Sequence, residues 1–183
     1  MTVPDNLELK PILNGITVPS NIIKAKLSAM NKSVDYLDEI LQAYSVYGKL
    51  TSIGSLMPFC QAIHETGWFT SDRWVRNFNP AGIGATNDGA EGNKWTSPTA
   101  GILAQYAHLL AYTVNPEKAT STQQLLMQIS PRYDILKKHK LLGVAPCWVD
   151  LNGRWAYPGK TYAQAIANIA KLFLNRGGYY NES

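Results

Sequence analysis

Glu65 closes an apolar stretch, Leu56-Met57-Pro58-Phe59-Cys60-Gln61-Ala62-Ile63-His64, and is followed at once by Thr66-Gly67-Trp68-Phe69. The spacing of Leu56, Phe59 and Ile63 predicts a helix from about Ser55 to Thr66 that Gly67 ends, with Pro58 tolerated in its first turn. A carboxylate in the last turn meets the negative end of the helix dipole, and Trp68 and Phe69 follow closely enough to strip it of water. Both effects raise a carboxyl pKa, which suits a general acid working near neutral pH. A lone Glu is ordinarily a solvated surface residue, so it is this context that singles Glu65 out. An acid at the end of a buried helix, facing a polar Gly-rich segment, is an arrangement suited to glycoside cleavage.

Other chemistries fit less well. His64-Glu65 opens like the helix motif of zinc proteases, but the second His that motif needs is replaced by Trp68, and His108 and His139 fall on other predicted helices. Gly82-Ile83-Gly84 lacks the third glycine of a dinucleotide loop, where Asn87 stands. There is no G-x-S-x-G elbow to present a nucleophilic serine. The sequence therefore predicts a site with neither metal nor organic cofactor.

The elements that must position Glu65 read mainly as helices. Ser20 to Val34, a second stretch after Ser33 that Gly48 would stop, segments around Ile102–Leu110 and Leu125–Ile129, and a basic stretch from Ser130-Pro131 to Lys140 all carry helical spacing. A last helix is expected after a Thr161/Gln164 capping box, with Ile166, Ile169, Leu172 and Phe173 as its buried stripe and Gly177-Gly178 as its stop. Between Ser71 and Gly101 the glycines, prolines and asparagines predict loops with one short hairpin. Residues 1–19, with Pro4, Pro11 and Pro19, read as an extended arm or linker before a single domain over 20–183. The fold class is thus α+β, mainly α: a helical body with a short Gly-rich β/loop lobe forming one wall of a cleft.

Composition narrows the partners. A chain of 183 residues is one domain at ~100–200 residues per domain, and 45% hydrophobic residues exclude intrinsic disorder. The longest uncharged run, Trp95 to Pro116, is interrupted by Pro98, Gln105, His108 and Asn115, so no membrane insertion is expected. Two cysteines, Cys60 and Cys147, make no disulfide framework and read as buried thiols. A net charge of +4 is mild and partly clustered at Lys137, Lys138 and Lys140, without the dense basic and aromatic stripe of a nucleic-acid binder. It suits any anionic partner, bacterial cell wall included, and selects none. The start MTVPDNLELK lacks the basic and apolar regions of a secretory signal.

Two blocks, Gln61-Ala62-Ile63-His64-Glu65-Thr66-Gly67-Trp68 and Asn77-Phe78-Asn79-Pro80-Ala81-Gly82-Ile83-Gly84-Ala85, resemble the bacterial endo-β-N-acetylglucosaminidases of glycoside hydrolase family 73. A third, Trp155-Ala156-Tyr157-Pro158-Gly159-Lys160-Thr161-Tyr162-Ala163, looks like that family's segment before the final helix. Gly84 stands where the family carries Lys, and Trp155 where Tyr is common. The resemblance implies a lysozyme-like fold and cleavage of the peptidoglycan glycan strand after N-acetylglucosamine. It implies Glu65 as general acid, Trp68 and Asn79 shaping the cleft, and Tyr162 beside the reacting sugar. A muramidase or lytic transglycosylase on the same fold is the alternative within enzymes, and a non-catalytic glycan-binding module the alternative outside them. With no leader read, such a monomer would be delivered by phage, released through a holin, or cut from a larger secreted protein.

Two further sets complete the expectations. Trp68, Trp95, Trp148 and Trp155 lie in or beside predicted loops and are candidates for stacking on sugars, the alternative being that some plug the core. A second catalytic carboxylate is expected from Glu91, then Asp88, on the Gly-rich lobe, then Asp150; otherwise the substrate's N-acetyl group does that work.

Overall fold

A computed structural model describes residues 5–85 and 92–175 of the chain. Among these, eight α-helices follow in order: α1 (Ser20–Ala29), α2 (Leu37–Thr51), α3 (Leu56–Thr66), α4 (Asp72–Asn77), α5 (Pro98–Thr113), α6 (Ser121–Gln128), α7 (Tyr133–Lys138) and α8 (Tyr162–Leu174). Short 3-10 turns cover Leu7–Leu9, Pro116–Lys118 and Trp148–Leu151. The described residues are mainly helical, and their only β features are isolated bridges at Pro11–Cys147 and Asn152–Ala156. The hairpin expected between Ser71 and Gly101 is not seen among the described residues. That stretch carries α4 instead, opened by Ser71, whose hydroxyl accepts from the Trp74 backbone N–H.

Helix α5 is the central element. Ile102, Tyr106, Leu109, Leu110 and Ala111 are buried on several of its faces, as expected of a helix surrounded by others. It packs on α2 and α6, while α3 packs on α8. Tyr106 ties the centre together, donating its hydroxyl to the Gly54 carbonyl at 2.7 Å, and its ring tilts against Tyr44 and Tyr47.

The N-terminal segment is not a free arm. Leu7 and Ile12 are buried in the main core, and the Ile12 amide donates to the Pro146 carbonyl at 2.8 Å. Asn14 N–H bonds Ser52 O, and Ser55 N–H bonds Ile16 O, so residues 12–16 are stitched to the α2–α3 turn. Gly48 and Gly54 make that approach possible. A Cβ on Gly48 would sit 2.6 Å from the Gly54 carbonyl oxygen, and one on Gly54 would sit 2.5 Å from the Gly15 backbone. Gly48 therefore does not stop α2; the helix runs through it to Thr51, and the missing side chain leaves room for the returning chain.

Helix α8 also begins differently from the expected capping box. Thr161 makes no side-chain cap; the Ala163 N–H is taken by Asn152 Oδ1 at 2.8 Å, and Gln164 accepts from Asn152 Nδ2. A cap supplied from a distant loop carries no local sequence signal. The expected Gly177-Gly178 stop lies outside the described residues.

Trp148 is 1% exposed, among the largest fully buried side chains, so it is a core residue and not a surface for sugars. Trp148→Ala is expected to cost ~3–5 kcal/mol of stability, as burial and cavity terms add. A lowered urea midpoint at unchanged m-value checks this.

Candidate active site

Glu65 sits one residue from the end of α3, where the sequence places it. After it come three consecutive left-handed residues, Gly67 (φ 55°), Trp68 (φ 65°) and Phe69 (φ 63°). For the two aromatics this backbone is unfavourable, at about 1–3 kcal/mol each, and it persists because the surroundings hold it. Phe69 is buried with its ring 4.9 Å from Trp74 and 5.7 Å from Phe59, and its N–H donates to Thr66 Oγ1. The tight reversal brings α4 back beside the end of α3, which sets Arg73 near the Glu65 carboxyl.

The two oxygens of Glu65 have different surroundings. Oε1 accepts the Tyr162 hydroxyl proton at 2.6 Å. Oε2 faces Gly82: a methyl group there would lie 3.1 Å from it and 3.5 Å from Arg73 Nη1. Burial raises the Glu65 pKa above its ordinary value, while the Tyr162 hydrogen bond and the Arg73 guanidinium pull it down less strongly. Because Oε1 is already an acceptor, the acidic proton belongs on Oε2, toward the cavity.

Tyr162 is itself the end of a buried polar chain. Gln61 Nε2 donates to the Tyr162 oxygen at 2.9 Å, Gln105 Nε2 donates to Gln61 Oε1 at 2.8 Å, and the Tyr44 hydroxyl donates to Gln105 Oε1 at 2.8 Å. Gln105 spends its second N–H on the Pro58 carbonyl at 2.9 Å. Every donor in this chain points toward Glu65, so each bond polarises the next in the same sense. The chain fixes the carboxyl from behind and links α2, α5, α3 and α8 through it. Burial among these groups holds the Tyr162 hydroxyl well above its usual pKa, so it remains a proton donor.

A cavity of about 240 Å³ opens in front of Glu65, lined with it by Arg73, Ala81, Gly82, Ala85, Trp155, Ala156 and Tyr157. A second, of about 270 Å³, shares Ala81, Gly82, Ala85, Trp155 and Tyr157 and adds Ile83, Gly84, His108, Tyr112, Arg132 and Arg154. The shared residues make the two compartments parts of one groove. One wall is the 79–85 loop, the other the 154–157 segment, joined where Trp155 Nε1 donates to the Ala81 carbonyl at 3.0 Å.

Asn79 shapes this groove from within. It is fully buried: Oδ1 accepts from the Ala81 and Ile83 amides, and Nδ2 donates to the Ile83 and Asn93 carbonyls. Its hydrogen-bonding groups are thus engaged in folding the 79–85 wall, which makes it a loop organiser and leaves no free atom for a ligand. Trp155 is half-buried at the junction of the compartments. Trp68 is half-buried away from the cavity lining, with Lys32 Nζ 4.9 Å from its ring centroid. Trp95 packs on Ala81, Ile83 and Ala104 behind the wall. Asp150 accepts from the Cys147 N–H at 2.9 Å, capping the Trp148–Leu151 turn, and does not line the groove. Glu91 and Asp88 lie outside the described residues. Among the described residues, Glu65 is the one carboxylate lining either compartment, and no cluster of three or more His, Cys, Asp or Glu side chains could hold a metal. Cys60 and Cys147 are free thiols, the first buried and the second half-buried.

Arg73, Gln61, Gln105 and Tyr44 did not stand out as site residues in the sequence. The two glutamines had a signal: each is an isolated amide inside an otherwise apolar helix, where an unpartnered polar group would be costly. Arg73 had none, because α4 is too short to show periodicity.

No family model matches this chain, and no solved structure matches it. The chain is similar to a protein of Borreliella burgdorferi strain B31 described as an uncharacterized protein, at 28% identity over 162 residues, covering 86% of this chain and 74% of that one.

Proposed function

We propose that the chain is a peptidoglycan hydrolase that cuts the β-1,4 bond between N-acetylglucosamine and N-acetylmuramic acid, with Glu65 as general acid. One observation carries the reading. A carboxyl group with a raised pKa has one oxygen anchored by Tyr162 and the other directed into an open groove. That is the arrangement for delivering a proton to a glycosidic oxygen, and the raised pKa keeps the proton available at higher pH than a solvated Glu would. The helical body with a loop wall facing the end of α3 supports a lysozyme-like arrangement, and the motif resemblance supports the sugar specificity.

Glu65 protonates the leaving oxygen, and the bond to the anomeric carbon breaks through an oxocarbenium-like state. The second role belongs to Glu91 or Asp88, which lie outside the described residues, or to the substrate's own N-acetyl group, whose carbonyl oxygen would attack the anomeric carbon. Glu65, now ionised, then takes a proton from the water that opens the intermediate. A lytic transglycosylase on the same fold is the alternative, in which an internal hydroxyl replaces water. The site of action in either case is the bacterial cell wall, and the chain works as a monomer.

Mass spectrometry of digested cell wall tests this. Products with a reducing-end N-acetylglucosamine are expected. Reducing-end N-acetylmuramic acid would make the chain a muramidase, and a 1,6-anhydro sugar would make it a transglycosylase. No products, with the protein sedimenting on intact walls, would overturn the enzyme reading in favour of a binding module.

A further inference from the structure

The compartment beyond Trp155 has a different chemistry from the one holding Glu65. Two guanidinium side chains, Arg132 and Arg154, reach its lining from separate elements. Arg132 immediately precedes α7, and its backbone N–H is held by Ser130 Oγ at 3.3 Å, a hydroxyl that also bonds His108 Nδ1 at 2.9 Å. Arg154 is anchored by one N–H, from Nη1 to the Asp150 carbonyl at 2.8 Å. Neither guanidinium forms an ion pair among the described residues, and Asp150 Oδ2 accepts from the Cys147 amide.

The floor between them is aromatic and uncharged. The His108 ring lies 4.7 Å from Trp155 and 5.0 Å from Tyr112, centroid to centroid. Burial, with Arg132 adding to it, lowers the His108 pKa to about 3, so this histidine stays neutral at any working pH. Among the described lining residues the positive charge of the compartment therefore belongs to the two arginines and does not titrate. Tyr157, 79% exposed, stands at the rim shared with the Glu65 compartment.

We infer that this compartment is a subsite for an oxyanion, carboxylate or phosphate, carried on the sugar next to the bond that Glu65 attacks. The inference rests on the glycoside reading of the Glu65 compartment, because the two compartments share one wall and one strand would run through both. Two guanidiniums from different elements offer N–H donors to one planar or tetrahedral anion, which Lys would not do as well. Trp155 and Tyr157 supply the apolar surface that sugar rings need beside it. The consequence is selectivity: a glycan with an acidic substituent at that position is held, and a neutral one of the same length is held less well.

The test uses the full chain carrying Glu65→Gln, so that no substrate is consumed. Three probes are titrated: a neutral N-acetylglucosamine tetramer, an alternating N-acetylglucosamine–N-acetylmuramic acid tetramer with free carboxylates, and inorganic phosphate. The Trp155 indole N–H resonance reports binding at the junction. The carboxylated tetramer is expected to bind about 10-fold or more tightly than the neutral one, with an advantage that fades in salt and on adding Arg132→Gln and Arg154→Gln. The salt dependence needs no arginine variant, so it stands even if that variant folds poorly. Equal binding of both tetramers, with phosphate moving the indole only when the arginines are present, assigns the same subsite to a phosphate-bearing wall polymer. Equal binding of both tetramers with no response to phosphate overturns the subsite and leaves the glycoside reading intact. Phosphate binding without binding of either tetramer keeps the anion site and overturns the glycoside reading. Silence from all three probes overturns both.

Discussion

Glu65→Gln is expected to lower wall-clearing activity by about 10²–10⁴-fold while the chain folds and binds walls as before. Gln keeps the size of the side chain and an Oε1 that can accept from Tyr162, but it has no acidic proton to give at the Oε2 position. Stability distinguishes this loss from a folding defect and has a definite sign. The Glu65 pKa is raised by folding, so the folded chain holds that proton more tightly than the unfolded one. Its contribution is complete below the unfolded value near 4.5 and is lost as pH rises through the folded value. Above that folded value the parent carries a desolvated carboxylate that the Gln variant does not. There the variant should melt no lower than the parent, with the difference closing below about pH 4.5. Calorimetric scans across that range, with turbidity assays on the same samples, check both halves. Clearing at the parent rate would remove Glu65 from the reaction.

The position of Glu65 was readable because its surroundings are local. Leu56, Phe59 and Ile63 mark the helix and Gly67 marks its end. Helices α5 and α8 were legible for the same reason, each carrying a long apolar pattern. What could not be read depends on contacts between distant segments. Leu7 and Ile12 show no periodicity, yet both are buried, because Gly15 and Gly54 let two backbones meet. Asn152 caps α8 from outside the helix, so the Thr161/Gln164 pattern misled. Trp148 and Trp155 are both loop tryptophans in the sequence; only packing makes one core and the other groove. Helix α4 is short and has a single buried large side chain, Trp74, so it could not be told from a loop, and Arg73 was lost with it.

Tyr162→Phe is expected to move the alkaline limb of the pH–activity profile upward while reducing the maximal rate by about 10-fold to 10²-fold. The direction follows from the hydrogen bond. The Tyr162 hydroxyl donates to Glu65 Oε1, which favours the ionised carboxyl and pulls its pKa down against the larger effect of burial. Removing the hydroxyl leaves burial opposed only by Arg73, so the acid form persists to higher pH. The rate falls for a different reason: Oε1 loses the anchor that aims Oε2 into the groove, and the carboxyl samples orientations in which its proton cannot reach the bond. The same change strands Gln61 Nε2, whose partner is the lost oxygen, at a cost of about 1–3 kcal/mol for a buried donor left unpaired. A purely structural tyrosine would show that loss of stability with an unmoved pH profile. Gln105→Leu separates the two roles, because it breaks the chain two residues earlier, leaving Tyr162 bonded to Glu65 but without the Gln105 donor behind Gln61. Its alkaline limb should shift less than that of Tyr162→Phe and in the same direction, since each donor bond strengthens the next. Profiles of kcat and kcat/KM for the parent and both variants decide the matter, and coincident limbs in all three would reduce the chain from Tyr44 to Tyr162 to packing alone.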